Sequence, residues 1–194
     1  MIRILAASLL LTATAAAQSI PNTEGPSIPV AVRFVATEAN APPGSCGCFW
    51  LSGAGVDAAV PVTHHISAAL DFAGTTTKLV PGTTRGLSVL RLMAGPRYSV
   101  AVGRRATVHA QALFGVARGF DADFITGASH TDTASVFGMA FGGSVELSLS
   151  RSVSLRPVQV DYLQTHLPNG SDDRQRNLRI GAGVVFRVKL PRSR

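Results

Sequence analysis

The chain has 194 residues, with 18 Lys+Arg against 11 Asp+Glu, 46% hydrophobic residues and 15% charged residues. That length fits one domain with a core of its own, and the apolar content excludes a disordered chain. Beyond the N-terminus no run of about 18 apolar residues occurs, which excludes a helical membrane protein.

Residues 1–17 read as a secretory signal peptide. Arg3 gives a positive start, Ile4 to Leu11 form a short apolar core, and Ala15-x-Ala17 is a small-residue cleavage site before Gln18. Residues 18–28 are expected to be a flexible N-terminal segment. Cys46 and Cys48 then stand as C-G-C in the exported part. They read as a strained disulfide or as thiols near a loop, because two cysteines do not complete a metal site.

From here the chain alternates with period two. Weaker copies of the pattern cover 29–38, 49–60, 86–100, 107–119 and 154–165. The clearest are Ile66, Ala68, Leu70 and Phe72, then Phe137, Met139, Phe141, Val145 and Leu147. The last is Leu178, Ile180, Ala182, Val184, Phe186 and Val188. Such alternation marks strands, about eight of them, and no segment shows a helical period. Near Arg156-Pro157 the phase flips, since Val153 and Leu155 share a face with Val158, Val160 and Tyr162. A bulge at the proline absorbs that slip.

Connections alternate in length. Short ones fall near 61–65, 101–106 and 150–152. Long ones fall near 39–47, 74–85, 120–134 and 166–176, rich in Gly, Thr, Asp, Asn and Ser. Long strands, short turns at one end and long loops at the other match a transmembrane barrel, whose strands run about 9–11 residues. The less apolar face carries Arg33, Asp57, Asp71, Arg91, Arg97, Glu146, Asp161, Arg179 and Arg187. Both signs suit a lumen crossed by ion pairs. Gly115, Gly138, Gly142, Gly181 and Gly183 on that face are expected to leave room for arginine, so that Gly183→Ala is mild. A secreted lipocalin- or avidin-like barrel is the soluble alternative.

Four stretches carry a family likeness: Leu92–Tyr98 (LMAGPRY), Ala112–Ala117 (ALFGVA), Leu155–Tyr162 (LRPVQVDY) and Asn177–Arg187 (NLRIGAGVVFR). From about residue 29 the chain resembles the small outer-membrane β-barrel proteins, of the kind that forms the transmembrane domain of outer membrane protein A. The resemblance implies an all-β, closed antiparallel up-and-down transmembrane barrel of about eight strands over 29–190, followed by a basic tail at 191–194. It implies location in the cell outer membrane and insertion by the barrel-assembly machinery. Phe186 takes the place of the terminal aromatic residue that such barrels present to that machinery, or the tail is tolerated.

Candidate chemistry is sparse. His64-His65 lies in a short turn, His109 among lumen residues, and His130 and His166 in separate long loops. Asp121, Asp123, Asp132, Asp172 and Asp173 are loop acids that a rim-sited lipid-modifying enzyme would use with His and Ser. Asp121-Ala122-Asp123 and Asp172-Asp173 would be the carboxylates for a surface cation, but neither matches a calcium loop. No motif joins these groups, so no catalytic, cofactor-binding or metal-binding residue is assigned and no cofactor is expected.

Of the 18 basic residues 16 are arginine, dispersed over strands and turns, which argues against nucleic acid. Arg104, Arg105, Arg151, Arg192 and Arg194 fall at the short-turn end. Lys78, Arg85, Arg118, Arg174 and Arg176 fall near the other rim, within reach of anionic lipid head groups. The expected protein is a monomeric, non-enzymatic barrel with a structural or surface-exposed role, both termini in the periplasm. A narrow diffusion pore is the first alternative.

Overall fold

The computed structural model describes residues 27–40, 48–81, 83–126, 129–168 and 173–189. Eight strands form within them: β1 (Ser27–Asn40), β2 (Cys48–Pro61), β3 (Ile66–Thr77), β4 (Leu87–Val102), β5 (Ala106–Thr126), β6 (Ser129–Ser148), β7 (Val153–Thr165) and β8 (Gln175–Lys189). Each pairs antiparallel with its sequence neighbour, and β1 pairs with β8 to close the sheet. The expected all-β up-and-down barrel is therefore present. No helix among the described residues is long and apolar enough to cross a membrane. The leader at 1–17, the tail at 191–194 and Cys46 lie outside the described residues.

The alternation decides which face is inside. Phe34 is 60% exposed, whereas its neighbour Arg33 is 2% exposed. The same inversion runs around the wall. Val56, Leu70, Phe72, Leu92, Val116, Phe137, Val160 and Phe186 point outward, while Asp57, Asp71, Arg91, Asp161 and Arg179 are buried. A water-soluble barrel would bury the first set. Outward aromatic residues stand at both rims as well as along the wall between them, where Phe72 lies opposite Leu92. Tyr98 stands opposite Ile66 at the short-turn end, and Trp50 and Tyr162 stand toward the other.

The phase flip in β7 is a bulge. Val145 stands opposite Val158, but Leu147 stands opposite Leu155. On the other edge Arg156 stands opposite Gly183, but Gln159 stands opposite Gly181. One extra residue on β7 turns both Arg156 and Gln159 inward and leaves Pro157 exposed, so the missing proline N–H breaks no ladder bond in the interior.

Three expectations change. First, β1 begins at Ser27, inside the segment expected to be flexible. Second, 120–134 is not an open loop. β5 and β6 continue through it as a hairpin of 21 and 20 residues. About ten residues cross a membrane, so the distal part of this hairpin stands clear of it. A bulge between Phe120 and Phe124 interrupts the pairing, and Asp121 there has φ 63°. Third, the lumen glycines make room for backbone more than for arginine. A Cβ on Gly183 would strike the Val32 carbonyl oxygen, and one on Gly142 would strike the Val160 carbonyl oxygen and Asp161. It is another inward glycine, Gly55, whose Cβ would press on a guanidinium, that of Arg33 at 3.2 Å.

The short turns are closed locally. Val62 N–H donates to the Ile66 carbonyl at 2.8 Å, Gly103 takes φ 70°, and Val153 N–H donates to Ser150 Oγ at 3.0 Å.

Leu92→Arg is expected to lower folding stability in lipid by about 2–4 kcal/mol, the cost of a cation at midplane depth. Gly183→Ala is expected to be destabilising too, because β1 must retreat. Urea unfolding in lipid vesicles measures both.

Candidate functional site: a lumen crossed by ion pairs

Inward positions of all eight strands converge on one network, β6 joining it through Glu146, 3.9 Å from Arg156. Asp57 (β2) takes two arginines: Arg97 (β4), and Arg156 (β7) whose Nη1 lies 2.9 and 3.0 Å from the two carboxylate oxygens. Arg33 (β1) reaches Asp71 (β3) and lies 3.9 Å from Asp57. Arg179 (β8) joins Asp71 at 2.8 Å to Asp161 (β7) at 2.9 Å. Two glutamines extend the chain. Gln111 accepts from Arg97 at 2.9 and 3.0 Å and donates to Asp161 at 2.8 Å. Gln159 donates to Asp161 at 2.7 Å and accepts from Arg156 at 3.1 Å. These groups are all buried. Eight strands leave an interior just wide enough for side chains to fill, and here charged ones fill it. Ala59, Ala69, Met93, Leu113, Ala140 and Leu163 pack inside among them.

The expected lumen residues are thus brought together. Sequence reasoning missed Arg156, Gln111, Gln159, Thr37 and Thr75. Counting inward positions across the Pro157 bulge would have found Arg156, and the spacing of Gln111 from His109 would have found Gln111.

Toward the short-turn end, Glu146 is held by Arg187 at 2.9 Å and approached by His109 at 3.4 Å. Ser99 Oγ lies 2.8 Å from His109 Nδ1. Ser, His and acid therefore stand in relay order, at the opposite end from the rim where such a set was sought. The Ser99 amide is engaged by the His65 carbonyl at 2.8 Å, so the hydroxyl lacks the adjacent free N–H that acyl transfer uses for its oxyanion.

Loop candidates do not converge. His130 Nδ1 lies 2.8 Å from Asp123, and Arg85 donates to Asp132 at 2.8 Å. His166 and Asp173 are exposed, and Asp172 lies outside the described residues. No group of three or more His, Cys, Asp or Glu among the described residues is placed to hold a metal. His64 and His65 are exposed, His65 Nδ1 lying 3.2 Å from the Ser99 carbonyl. Cys48 opens β2 and is exposed.

Residues 4–186 match the family model described as outer membrane protein beta-barrel domain. The chain belongs to this family. Its barrel lies in the outer membrane, as the outward apolar wall requires. Among solved structures it is similar to Neisserial surface protein A, at 15% identity and TM-score 0.62, covering 84% of this chain and 97% of that one. Ail, the attachment invasion locus protein of Yersinia pestis, solved with the heparin analogue sucrose octasulfate, matches at 14% identity and TM-score 0.55. That match covers 84% and 99% of the two chains. OprG of Pseudomonas aeruginosa matches at 9% identity and TM-score 0.53, covering 86% and 98%. These likenesses establish the fold. No curated protein sequence matches the chain.

Asp57→Ala leaves Arg97 and Arg156 buried without their shared carboxylate. It is expected to destabilise the outer-membrane barrel by about 3–5 kcal/mol. Arg85→Ala breaks an exposed pair and is expected to cost less than about 1 kcal/mol. The shift of the heat-modifiable band on a gel, followed through a urea series, compares the two.

Proposed function

We propose that the protein is a closed, non-conducting, monomeric barrel with a structural or surface-exposed role in the outer membrane, and that it performs no catalysis. The observation that carries this reading is the lumen. Asp57, Asp71 and Asp161 are each held by arginines from other strands, so fixed charge spans the cross-section where a solute would pass. Opening a path would separate several buried pairs at once, each break being costly.

Residues 1–17 direct export and are removed before Gln18. The barrel-assembly machinery inserts the mature chain, with both termini and the short turns in the periplasm, as short turns are in this class. The long β5–β6 hairpin then projects from the cell. Arg118 on the outer face of β5 stacks over Phe120 at 5.1 Å. With Lys78, Arg85, Arg174 and Arg176 it faces the anionic head groups of the outer leaflet.

A narrow diffusion pore is the competing role. Purified protein in a planar bilayer is expected to give no stepwise conductance, and steady single-channel steps would replace the closed reading. Protease added to intact cells is expected to cut within 120–134 and to spare Arg104-Arg105. Cleavage only after permeabilisation would reverse the orientation.

A further inference from the structure

Five buried arginines face four buried carboxylates among the described residues. Four of the arginines, Arg33, Arg97, Arg156 and Arg179, are in ion pairs. The fifth is Arg91. Its guanidinium donates to two neutral hydroxyls, Thr37 Oγ1 at 3.3 Å and Thr75 Oγ1, and its Nε is buried with no hydrogen-bond partner. A buried cation without an anion is costly. Arg91 therefore stands apart from the rest of the lumen.

Arg91 also borders space. A chamber of about 60 Å³ lies against it, with Thr37, Leu51, Val89, Thr165 and Asn177 among its walls. Asn177 Oδ1 is buried there and likewise lacks a partner. Above lies a mainly apolar vestibule of about 200 Å³ at the long-connection end, walled by Val80, Phe124, Ile125 and Pro168, with Arg85 also lining it but paired to Asp132. Phe49, Leu87, Leu167 and Gln175 line both spaces, so the two adjoin across these side chains. A cluster of Ala39, Phe49, Leu51, Val89 and Ala117, with Val80, Leu87 and Val136 packed against it, makes this end of the lumen apolar.

We propose that this end of the barrel binds an unbranched alkyl carboxylate head first. The carboxylate sits on Arg91 and the chain lies in the vestibule. Each part of the ligand answers one feature. The negative head supplies the anion that Arg91 lacks and accepts from Nε. Rotation of the Asn177 amide exchanges its oxygen for its NH₂, a second donor. The small volume of the chamber admits a planar head of three heavy atoms. The apolar walls reward a hydrocarbon chain, which an inorganic anion does not have. An alcohol of the same length fills the same space but leaves the guanidinium charge uncompensated. The ion pairs of the lumen lie beyond Arg91, so the ligand is held at this end rather than passed through. Binding requires no pore.

The test is equilibrium dialysis of octanoate, octanol and acetate at neutral pH. Full-length mature barrel in lipid nanodiscs is compared with empty nanodiscs of the same lipid. The wild type is expected to bind octanoate saturably over the empty discs. Octanol is expected to bind at least about tenfold more weakly, the loss of a charge-assisted hydrogen bond. Acetate is also expected to bind more weakly, for want of a chain. Arg91→Gln is expected to fold, because it orphans no carboxylate, and to bind the acid and the alcohol alike. Leu87→Trp, at the half-buried end of β4, is expected to fill the vestibule and weaken both ligands while leaving the lumen network untouched. Octanol bound as tightly as octanoate by the wild type overturns the proposal. So does absence of saturable octanoate binding, or a carboxylate preference that survives Arg91→Gln.

Discussion

Closure in hydrocarbon is the constraint on which the other features depend. A membrane leaves no water to satisfy an exposed backbone edge, so a spanning sheet must close on itself. The β1–β8 pairing does this. Closure at eight strands fixes the bore, and the bore must be filled by side chains. With the outer wall apolar, every charged residue within the membrane-spanning part of a strand has one place to go. Arg33 beside Phe34, and Asp71 between Leu70 and Phe72, are local expressions of that rule.

Charges confined to so narrow a space must be neutralised by each other. The sequence separations are long: Arg179 meets Asp71 across 108 residues, and Arg156 meets Asp57 across 99. None of these pairs is local, so the network forms only as the barrel closes, and it rewards correct register on every strand it touches. A slip of one residue would place a guanidinium in lipid. The β7 bulge belongs to the same logic. In a regular strand Arg156 and Gln159, three residues apart, would fall on opposite faces. With the bulge at Pro157, both join Asp57 and Asp161 inside.

What was legible in the sequence follows the same division. A period of two is a property of neighbouring residues. The eight strands, their inward charges and the bulge could therefore be read from the chain, and all nine charged positions expected on the inner face point inward. Who meets whom is set by register across the bore, which no local pattern encodes. Arg33, Arg91 and Arg179 look alike in sequence, yet Arg91 is left with threonines. The glycines misled for a related reason. Period two placed them inside, but the close approach of Val32 to Gly183 depends on how neighbouring backbones crowd in a narrow barrel. The 120–134 segment reads as a loop because Asp121, Asp123, Gly127 and Asp132 are of types that disfavour strands. The structure keeps it paired by concentrating the irregularity at Asp121–Asp123, which have Asp132 alone across from them.

The two ends of the bore differ in a way that bears on function. At the short-turn end the inward groups are Ser99, His109, Glu146 and Arg187, polar and mutually bound. At the long-connection end Phe49, Leu51, Val89 and Ala117 form an apolar cluster over a cation, with Thr37, Thr165, Gln175 and Asn177 as the polar groups beside it. A bore built to pass ions would carry polar groups to both mouths. A bore built only as filler would pair its last charge, as it pairs the other four buried arginines. The apolar mouth over Arg91 does neither. That combination is suited to retaining a molecule with a hydrocarbon body and a single negative end.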